Sequence, residues 1–411
     1  MLDFAPETAE FYGRDPEAAF AQLRATEPVH WYEPGRFWCL TRQAEIREAS
    51  RNPKTFSSAY GIQMFQIAEA HAGNGPTPDD PSAASILQMD PPEHLRHRKL
   101  VMSAFRPKYM AELETRIREI TVESLDACDP AGEVDFVEQI AVPLPMRVIA
   151  EMIGVPPADA AVFRRWSDSI IEAGGGGVTE QTLQDMGELF ANFTESIEEH
   201  RATPRADIIT LLLEAEIDGE RLGKGEILMF LLTLLVAGNE TTRNLIAGGG
   251  RALAEHPDQR ALLAADPALI PGGVDEMLRW VTPVRSFVRR AQVDTTIGDT
   301  AIRAEDYVVM FYGSGNRDQA EFGPTADQFD VTRADAYRHI AFGFGEHLCL
   351  GAALAKVEAR VMFEELLQRW PSWDIVGDIV PLESCLMNGL VHMPVRLGYS
   401  AGAASSRSTA R

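Results

Sequence analysis

The sequence predicts a mainly α-helical protein with a small β region, and three patterns support this prediction. From residue 110 to residue 222, apolar residues recur at helical spacing through several successive segments. From Gly225 to Glu255 the same spacing continues for about thirty residues, or roughly 45 Å of helix. Short apolar runs bounded by turn residues occur near the start of the chain and again after Pro283. We therefore expect helices to form most of the fold.

The composition is that of a globular protein with a strong negative charge. Of the 411 residues, 45% are hydrophobic and 24% charged, which is enough to form a sizeable core. The formal net charge of −23 argues against non-specific binding to nucleic acid or to an anionic membrane. The cysteines are too scattered for metal-binding pairs and fit a reducing compartment. They are Cys39, Cys128, Cys349 and Cys385.

Neither end of the chain resembles a membrane-targeting segment. The first residues, MLDFAPETAEF, are acidic and lack the basic and apolar parts of a signal peptide. The longest apolar run, Ile227 to Ala237, is too short to span a bilayer. We therefore expect a cytoplasmic protein without a membrane anchor. The length allows two or three domains of ~150 residues; we expect one domain, residues 1–398, followed by a small, polar and disordered tail, residues 399–411.

The first half of the chain predicts a hairpin, an irregular segment and a series of helices. Two apolar runs, Val29–Tyr32 and Phe37–Leu40, flank a Pro-Gly turn and predict a β-hairpin. Glycines and prolines predict a long irregular segment over residues 59–85, which either covers a ligand pocket or is a surface loop. A helix begins after Asp90, a capping residue followed by two prolines. Further helices are predicted at Met110–Ala127, Leu144–Ile153, Asp159–Ile171, Thr182–His200 and Ile208–Ile217.

The long helical pattern of Gly225–Glu255 contains residues that are unusual in an apolar helix. Its middle reads LVAGNETTRN. Gly238 and the two adjacent threonines are poor helix formers, and threonine hydroxyls can bend a helix by bonding back to its carbonyls. Glu240 needs a partner or a function in such apolar surroundings. Ala237 and Gly238 leave room for a flat ligand, although a kinked core helix is the alternative.

The second half predicts another helix, several short strands and a glycine-rich loop. Val274–Trp280 is helical in pattern and ends at a Thr-Pro pair. The strand-like runs are Thr295–Ile297, Thr300–Ile302 and Tyr307–Tyr312. The loop reads FGFGEHLCLG, from Phe342 to Gly351, and strong helix formers follow it.

Cys349 is thus expected where this loop becomes a helix. Free amide groups and the helix dipole favour a thiolate there and lower the pKa of the thiol. The glycines, among them Gly343 and Gly351, leave room for a flat and bulky group. A lone buried cysteine is more often inert, and that is the alternative interpretation.

These two motifs, in this order, resemble those of the cytochrome P-450 family. The loop matches the haem-binding signature of that family at every fixed position, and AGNETT matches its oxygen-activating helix. The resemblance implies the cytochrome P-450 fold, a triangular helical prism around a buried haem b that is held non-covalently. It implies that Cys349 is the axial iron ligand. It also implies that Glu240 and Thr241 are the catalytic acid–alcohol pair that relays protons to dioxygen.

The resemblance also implies which residues hold the haem. DPPEHLRHRKL looks like the C helix of the family, in which His94 and Arg98 would bind the propionates, although the neighbouring basic residues also allow a solvated face. Arg289 would be a third propionate ligand, and His347 would reach a propionate too. Ala237, Gly238, Phe342, Gly343 and Gly351 would contact the haem. The remaining basic residues, Arg96, Lys99, Arg106 and Lys108, form a candidate docking patch for an acidic electron donor.

Further residues are assigned to the substrate pocket and to the scaffold. By resemblance, Val284, Ser286, Phe287 and Leu390 face the pocket above the haem. Glu276 and Arg279 correspond to the structural Glu-x-x-Arg pair of the family. The usual third partner of that pair, often arginine, is replaced by Gln328, which leaves Arg333 or another donor to take its place.

The function implied by the resemblance is monooxygenation. The enzyme would activate dioxygen with two electrons supplied from outside, by a ferredoxin and a ferredoxin reductase and ultimately by NAD(P)H. It would hydroxylate an apolar substrate, with a steroid or terpenoid preferred and alkyl, fatty-acid or small aromatic compounds as alternatives. The rivals are a peroxide-driven peroxygenase, a haem-thiolate gas sensor and a haem-free helical binding protein. The acid–alcohol pair argues against the first two, and a colourless purified protein would favour the third.

Overall fold

The computed structural model describes residues 4–14, 16–79, 85–102, 107–128, 132–155, 160–176 and 179–398. The helices of this part of the chain are α1 (Ala9–Gly13), α2 (Glu17–Thr26), α3 (Gln43–Ser50), α4 (Met64–His71), α5 (Glu93–Met102), α6 (Pro107–Asp126), α7 (Pro143–Ile153), α8 (Ala160–Gly176), α9 (Glu180–Ala202), α10 (Ile208–Glu214), α11 (Lys224–Glu255), α12 (Pro257–Ala265), α13 (Ile270–Val281), α14 (Tyr312–Gly315), α15 (Gln319–Phe322) and α16 (Ala352–Arg369). The strands are β1 (Val29–Tyr32), β2 (Phe37–Leu40), β3 (Phe56–Ser57), β4 (Glu133–Asp135), β5 (Glu216–Ile217), β6 (Glu220–Arg221), β7 (Ser286–Ala291), β8 (Thr295–Ile297), β9 (Thr300–Ile302), β10 (Tyr307–Phe311), β11 (Ser372–Ile375), β12 (Val380–Pro381), β13 (Leu390–His392) and β14 (Pro394–Gly398). The prediction of a mainly helical protein with a small β region is confirmed.

Helix α11 is the element against which many of the other helices pack. It runs for 32 residues and contacts α7, α8, α9, α13 and α16. Its buried side chains, such as Leu235 and Leu245, belong to the main apolar core. A π-helical segment, Phe136–Ala141, approaches α11 closely at Gly250, where a Cβ atom would lie 2.3 Å from the ring of Phe136. The glycine is therefore needed for this packing.

The β region centres on a five-stranded sheet in the order β1-β2-β10-β7-β3. Strands β1 and β2 are antiparallel, with Trp31 opposite Trp38, whereas β2 and β10 are parallel. Strands β10 and β7 are antiparallel, and their register places Val308 opposite Arg289. The predicted hairpin and the β8–β9 pair are confirmed at their predicted bounds. The third predicted run ends one residue early, because Tyr312 begins α14.

Three stretches differ from the predictions. The predicted helix Ile208–Ile217 ends at Glu214, because Glu216 and Ile217 form strand β5 and pair with β6. The predicted irregular segment, residues 59–85, contains helix α4, which is stabilised by the Gln66 side-chain oxygen accepting from the N–H of Gln63 at 3.0 Å and by burial of Met64 and Ile67. Helix α8 continues to Gly176 instead of ending at Ile171. A glycine costs a helix only about 1 kcal/mol, so it weakens a last turn without forbidding it.

Two predictions about the chain as a whole stay predictions. The expected disordered tail, residues 399–411, lies outside the described residues, and nothing tests the division into a single domain of residues 1–398. None of the described helices combines the length and the apolarity needed to cross a bilayer.

Helix α13 carries a buried ion cluster that fixes the chain after β10. Arg279 donates to both carboxylate oxygens of Glu276, each at 2.7 Å, and all three side-chain charges of the cluster are shielded from solvent. Arg333 lies 3.3 Å from Glu276 and supplies the third member. Gln328 contributes its backbone carbonyl, which accepts from Arg279 at 2.8 Å and from Arg333 at 3.1 Å. The structure thus identifies what takes the third position.

Candidate active site

A cavity lies between helix α11 and the loop that carries Cys349. Its floor is formed by residues 341–351 and the start of α16, and its opposite side by the middle of α11. Side chains from α5 and β7 line one edge, and Ile86 and Leu87 line another. The elements that carried the two sequence motifs therefore face each other across one space.

Backbone geometry holds the cysteine loop in place. The N–H of Cys349 donates to the carbonyl of Phe342 at 2.9 Å. Gly343 and Gly345 have φ values of 72° and 73°, in the left-handed region that favours glycine. A Cβ atom at Gly345 would also lie 2.4 Å from the carbonyl oxygen of Ser50, so a side chain there would push the loop away from α3. The glycine spacing of the motif therefore has a local steric cause.

Cys349 presents its side chain to the cavity, which is why it has accessible surface despite its position inside the molecule. Burial raises the pKa of its thiol, while the N–H of Gly351 and the charge of Arg98 act in the opposite direction. The predicted lowering of this pKa is therefore wrong for the net shift, because burial outweighs the N–H of Gly351 at the start of α16. A thiol in this position becomes a thiolate when a metal ion coordinates it.

Four cationic or basic side chains meet at the edge of the cavity. His94 and Arg98 come from α5, Arg289 from β7 and His347 from the cysteine loop, and all four line the cavity. The rings of His94 and His347 stack with centroids 4.0 Å apart. Burial, together with Arg98 and Arg289, lowers the pKa of His94 to about 4. Both imidazoles are therefore neutral next to two permanent charges, since the pKa of His347 is lowered even further.

This cluster contains cations without a carboxylate partner among the described residues. None of the four side chains takes part in an ion pair there, and Nδ1 of His94 is buried without a hydrogen-bond partner. Arg289 donates to the carbonyl of Val288 at 2.7 Å. The negative charge of Asp90 acts to raise the pKa of Arg289. The carboxylate of Asp90, however, accepts a hydrogen bond from the N–H of Ser58 at 2.8 Å. Two carboxylates of a ligand would fit this cluster, as the two propionates of haem require.

The facing side of helix α11 is lined by small residues and a hydroxyl. Ala237, Gly238 and Thr241 all border the cavity. A Cβ atom at Gly238 would lie 2.6 Å from Cδ1 of Ile149, which also borders the cavity, so the glycine brings α11 close to α7. The hydroxyl of Thr241 donates to the carbonyl of Ala237 at 2.5 Å, as expected for a threonine that bonds back to its helix. The wall is therefore flat opposite Cys349.

Glu240 and Thr241 lie in different surroundings. Successive residues of a helix point about 100° apart, and only Thr241 borders the cavity. Glu240 is buried and accepts from Arg243 and from the side chain of Asn244, the latter at 3.1 Å. Its second oxygen, Oε2, is buried without a partner among the described residues. Although Glu240 and Thr241 are neighbours in sequence, Thr241 therefore borders the cavity whereas Glu240 is buried away from it.

A second buried carboxyl, Glu358, borders the cavity and was not among the predicted site residues. It lies on α16, and burial raises its pKa to about 8, with the hydroxyl of Thr242 acting in the opposite direction. Its Oε1 atom has no hydrogen-bond partner among the described residues. The sequence did carry a signal for the burial of Glu358, because the apolar residues Leu354 and Met362 lie one helical turn before and after it. Both of them are buried. Glu358 is therefore a neutral acid at neutral pH.

The predicted pocket residues divide into two groups. Val284 and Phe287 line the cavity, together with Phe230 and Leu234 of α11. Ser286 and Leu390 are buried and do not belong to its lining. Strand alternation explains part of this division, because neighbouring residues of β7 point to opposite faces. The upper part of the cavity is thus mostly apolar.

The predicted docking patch is described in part. Arg96 is engaged with Glu226 at 2.5 Å and lies 3.4 Å from Glu220, so its charge is compensated. Lys99 is on the last turn of α5. Arg106 and the side chain of Lys108 lie outside the described residues.

The haem cofactor fits the residues that line this cavity. A single cysteine sulfur faces a flat wall of small residues, and a cluster of bases without carboxylate partners lies at one edge. This donor set suits an iron porphyrin with two propionates better than a bare metal ion, which would need several protein ligands.

Comparisons with known proteins agree with this geometry. Residues 269–394 match the model of the family described as cytochrome P450. The steroid C26-monooxygenase of Mycobacterium tuberculosis is 37% identical over 393 residues, which cover 94% of each chain. The linalool 8-monooxygenase of Pseudomonas putida is 36% identical over 93% of this chain and 95% of its own.

Solved structures are similar over nearly the whole fold. CYP109E1 from Bacillus megaterium, in complex with testosterone, superposes with a TM-score of 0.83 at 34% identity and covers 93% of this chain and 99% of its own. The similarity therefore extends well beyond the two motifs, to the arrangement of helices around the cavity.

Proposed function

The chain belongs to the cytochrome P450 family, and from this premise we propose that it hydroxylates a steroid or a terpenoid. It is a haem b monooxygenase that uses dioxygen and electrons from redox partners. Haem, when bound, supplies the chemistry that activates dioxygen and inserts one oxygen atom into a C–H bond. The protein residues bind and orient the cofactor and the substrate, and they deliver protons.

We assign the binding of the cofactor to the lower half of the cavity. Cys349 would provide the sulfur that binds the iron. His94, Arg98, Arg289 and His347 would bind the two propionates, and the pairing would return both imidazoles toward their charged forms, because each gains a carboxylate neighbour. Phe342, Gly343 and Gly351 would contact the porphyrin from the side of Cys349, and Ala237 and Gly238 from the opposite side. The cluster of cations without carboxylates carries this assignment.

Proton supply is assigned to Thr241 and Glu240. The hydroxyl proton of Thr241 now points to the carbonyl of Ala237, and a rotation about its Cβ–Oγ1 bond turns it toward the cavity. Oε2 of Glu240, on the adjacent residue of α11, is buried without a hydrogen-bond partner among the described residues. A change of its χ angles away from Arg243 would bring that oxygen toward Thr241, where it would pass a proton taken up from solvent to the hydroxyl.

Thr241→Ala tests the proton assignment. The variant should keep its haem and its thiolate-type spectrum, but it should consume more electrons for each molecule of product, because the cavity loses the hydroxyl that holds the proton. Thr241→Ser is the matched control and should restore most of the coupling. Unaltered coupling in Thr241→Ala would remove Thr241 from the mechanism.

The apolar upper wall carries the substrate proposal. Val284, Phe287, Phe230 and Leu234 offer little to a polar or charged molecule, and burial of an apolar substrate against them gains about 25 cal/mol for each Å². The relative from M. tuberculosis is named for a steroid and that from P. putida for linalool. These names make steroids and terpenoids the first compounds to examine.

A spectral titration across steroids, terpenes, fatty acids and small aromatic compounds tests this proposal. A bound substrate displaces water from the haem and shifts its absorption. We expect micromolar binding within the steroid or terpene group. A response confined to fatty acids or aromatic compounds would overturn the substrate assignment and leave the monooxygenase in place.

We also propose that a ferredoxin and its NAD(P)H-dependent reductase supply the electrons, with docking near Lys99. The charge-reversal variant Lys99→Glu should slow reduction by an acidic ferredoxin and flatten its dependence on salt. Arg396→Glu, at an exposed position of strand β14, is the matched control. Identical rates and salt dependence for Lys99→Glu and the wild type would contradict this docking site.

A further inference from the structure

The upper wall of the cavity contains one hydroxyl among its apolar residues in the described part of the chain. Thr233 of α11 lines the cavity between Phe230 and Leu234, and Ile86 and Leu87 lie across from α11. The other polar side chains that line the described cavity belong to the cationic edge, to Cys349 and its surroundings, or to the segment from Thr241 onward. The hydroxyl of Thr233 is thus isolated from the groups that serve the cofactor.

Helix geometry separates Thr233 from the reacting end of the cavity. Thr233, Ala237 and Thr241 are spaced by four residues and therefore lie on one face of α11. The rise of 1.5 Å per residue puts about 12 Å between the first and the last of them. A ligand group held at Thr233 is therefore well removed from Thr241, and Thr233 is placed to select a substrate and not to take part in the reaction.

The hydrogen bonds of Thr233 fix which partner it can take. Its hydroxyl donates to the carbonyl of Met229 at 2.8 Å, so its proton is already in use. What remains for the cavity is the acceptor side of Oγ1. Ser85 approaches this oxygen at 3.4 Å, which leaves a long and weak contact and one free lone pair. Thr233 is therefore an acceptor toward a ligand.

From this arrangement we infer that Thr233 accepts a hydrogen bond from the hydroxyl group of the substrate, and that the enzyme selects alcohols over the corresponding ketones, aldehydes and hydrocarbons. This inference rests on the proposed function and narrows its substrate class to apolar molecules with a hydroxyl group. An alcohol can donate to the free lone pair. A carbonyl compound offers acceptors alone, so the Thr233 hydroxyl could donate to it only by rotating and giving up its hydrogen bond to Met229, which leaves no net gain. A hydrocarbon gains nothing from the group.

The size of the expected preference follows from the strength of one neutral hydrogen bond. Such a bond contributes about 0.5–1.5 kcal/mol net, which corresponds to roughly three- to tenfold in affinity. Thr233→Val keeps the shape of the side chain and removes the oxygen. It should weaken the alcohol by this factor and leave the carbonyl compound and the hydrocarbon within about twofold of their wild-type affinities.

The test is a spectral titration of the haem-loaded enzyme with three matched sets of probes. The sets are androstanol, androstanone and androstane; menthol, menthone and menthane; and dodecanol, dodecanal and dodecane. The wild type and Thr233→Val are compared with Thr233→Ser, which keeps the hydroxyl and should keep the preference. Ser85→Ala should also keep it, because Ser85 is the weaker neighbour. Thermal unfolding of each variant shows that the fold is retained.

The outcomes separate this inference from the proposed function. The preferred skeleton tests the function, since tight binding of the dodecyl set alone would contradict a steroid or terpenoid substrate. The preferred functional group tests Thr233. Equal affinity for the alcohol and the carbonyl compound on the best skeleton, or an alcohol preference that persists in Thr233→Val, would overturn the inference. Loss of the preference in Ser85→Ala but not in Thr233→Val would assign the contact to Ser85 and overturn it as well.

Discussion

Two buried clusters of charged side chains lie in this molecule, and they differ in one respect. In the scaffold cluster, Glu276 lies between Arg279 and Arg333, and backbone carbonyls accept the remaining guanidinium hydrogens. In the cluster at the cavity edge, Arg98 and Arg289 lie next to two histidines without a carboxylate partner in the described chain. Carboxylate and carbonyl groups of the protein complete the first cluster, whereas no carboxylate of the described chain pairs with the cations of the second.

The difference shows which cluster serves the fold and which one serves a ligand. A buried charge without a partner destabilises a protein by several kcal/mol, so a fold has no use for two of them together. The protein lessens this cost by keeping His94 neutral, because burial and the two arginines lower the pKa of this residue to about 4. A ligand with two carboxylates would complete the second cluster in the way that Glu276 completes the first.

The largest effect is expected at the sulfur that lies beside the incomplete cluster. Cys349→Ala should abolish the thiolate-type absorption band and turnover, because the variant has no anionic sulfur to offer the iron. The measurement is the absorption spectrum of the reduced, CO-treated protein together with product formation. Cys385→Ala, a partly buried cysteine elsewhere in the fold, is the control and should keep both properties. An unchanged band in Cys349→Ala would refute the haem-thiolate assignment.

The complete cluster should respond through stability. Glu276→Gln leaves two buried guanidinium groups without their carboxylate and should reduce the free energy of unfolding by about 3–5 kcal/mol. Urea denaturation of the purified variant measures this loss. Glu133→Gln removes one member of an exposed ion pair with Arg396 and should change stability by less than about 1 kcal/mol. Equal losses in the two variants would show that burial of the cluster is unimportant.

The incomplete cluster should respond through the cofactor instead. Arg98→Leu removes one half-buried cation that has no ion-pair partner in the described chain, so the haem-free protein should be at least as stable as the wild type. Haem should be lost about ten- to a hundredfold faster, which corresponds to one charge-assisted hydrogen bond of about 1.5–3 kcal/mol. The rate of haem transfer to an acceptor protein measures this effect. A large loss of stability with unchanged haem retention would reverse the comparison between the two clusters.

The sequence predicted the incomplete cluster better than the complete one. His94, Arg98, Arg289 and His347 were assigned together from motif positions, and the structure brings them to one edge of the cavity. The third member of the complete cluster, Arg333, stayed open, because the usual position holds Gln328. Its role became visible through the fold of the loop, where the backbone carbonyl of Gln328 accepts hydrogen bonds that no side-chain pattern specifies.

Helix periodicity predicts the directions of the Glu240 and Thr241 side chains, which the motif alone does not. The motif pairs Glu240 with Thr241, yet adjacent positions on a helix point in different directions, and Glu240 contacts Arg243 on its own helix. The long helices and the hairpin followed from local pattern. Helix α4 did not, because glycines and prolines around it outweighed its short apolar face. The environment of Glu358 depends on α11 packing against α16, and no local pattern specifies such a contact.

Glu358 is the opposite case to the cluster at the cavity edge, because it is a buried acid without a cationic partner among the described residues. Burial raises its pKa to about 8 from the usual 4.5, so the folded protein keeps the proton that the unfolded chain releases. The folded state then binds more protons than the unfolded state between about pH 4.5 and pH 8, and stability contributed by this residue falls as the pH rises. It is fully present below that range and lost above it.

Glu358→Gln should remove this pH dependence, and its effect over one pH unit is the smallest of the expected effects. From pH 6 to pH 7 the stability of the variant relative to the wild type should rise by about 1.4 kcal/mol, the value of one proton per pH unit, and it should level off above about pH 8. Urea denaturation in this pH range measures the slope. Glu365→Gln on the same helix is the control: although burial works against it, Arg369 and Arg118 hold the pKa of Glu365 below its usual value, so its contribution is constant across this range. If the difference in the free energy of unfolding between Glu358→Gln and the wild type did not change with pH, Glu358 would be ionised in the folded protein. The cavity would then be lined by a buried anion as well as by the described cations.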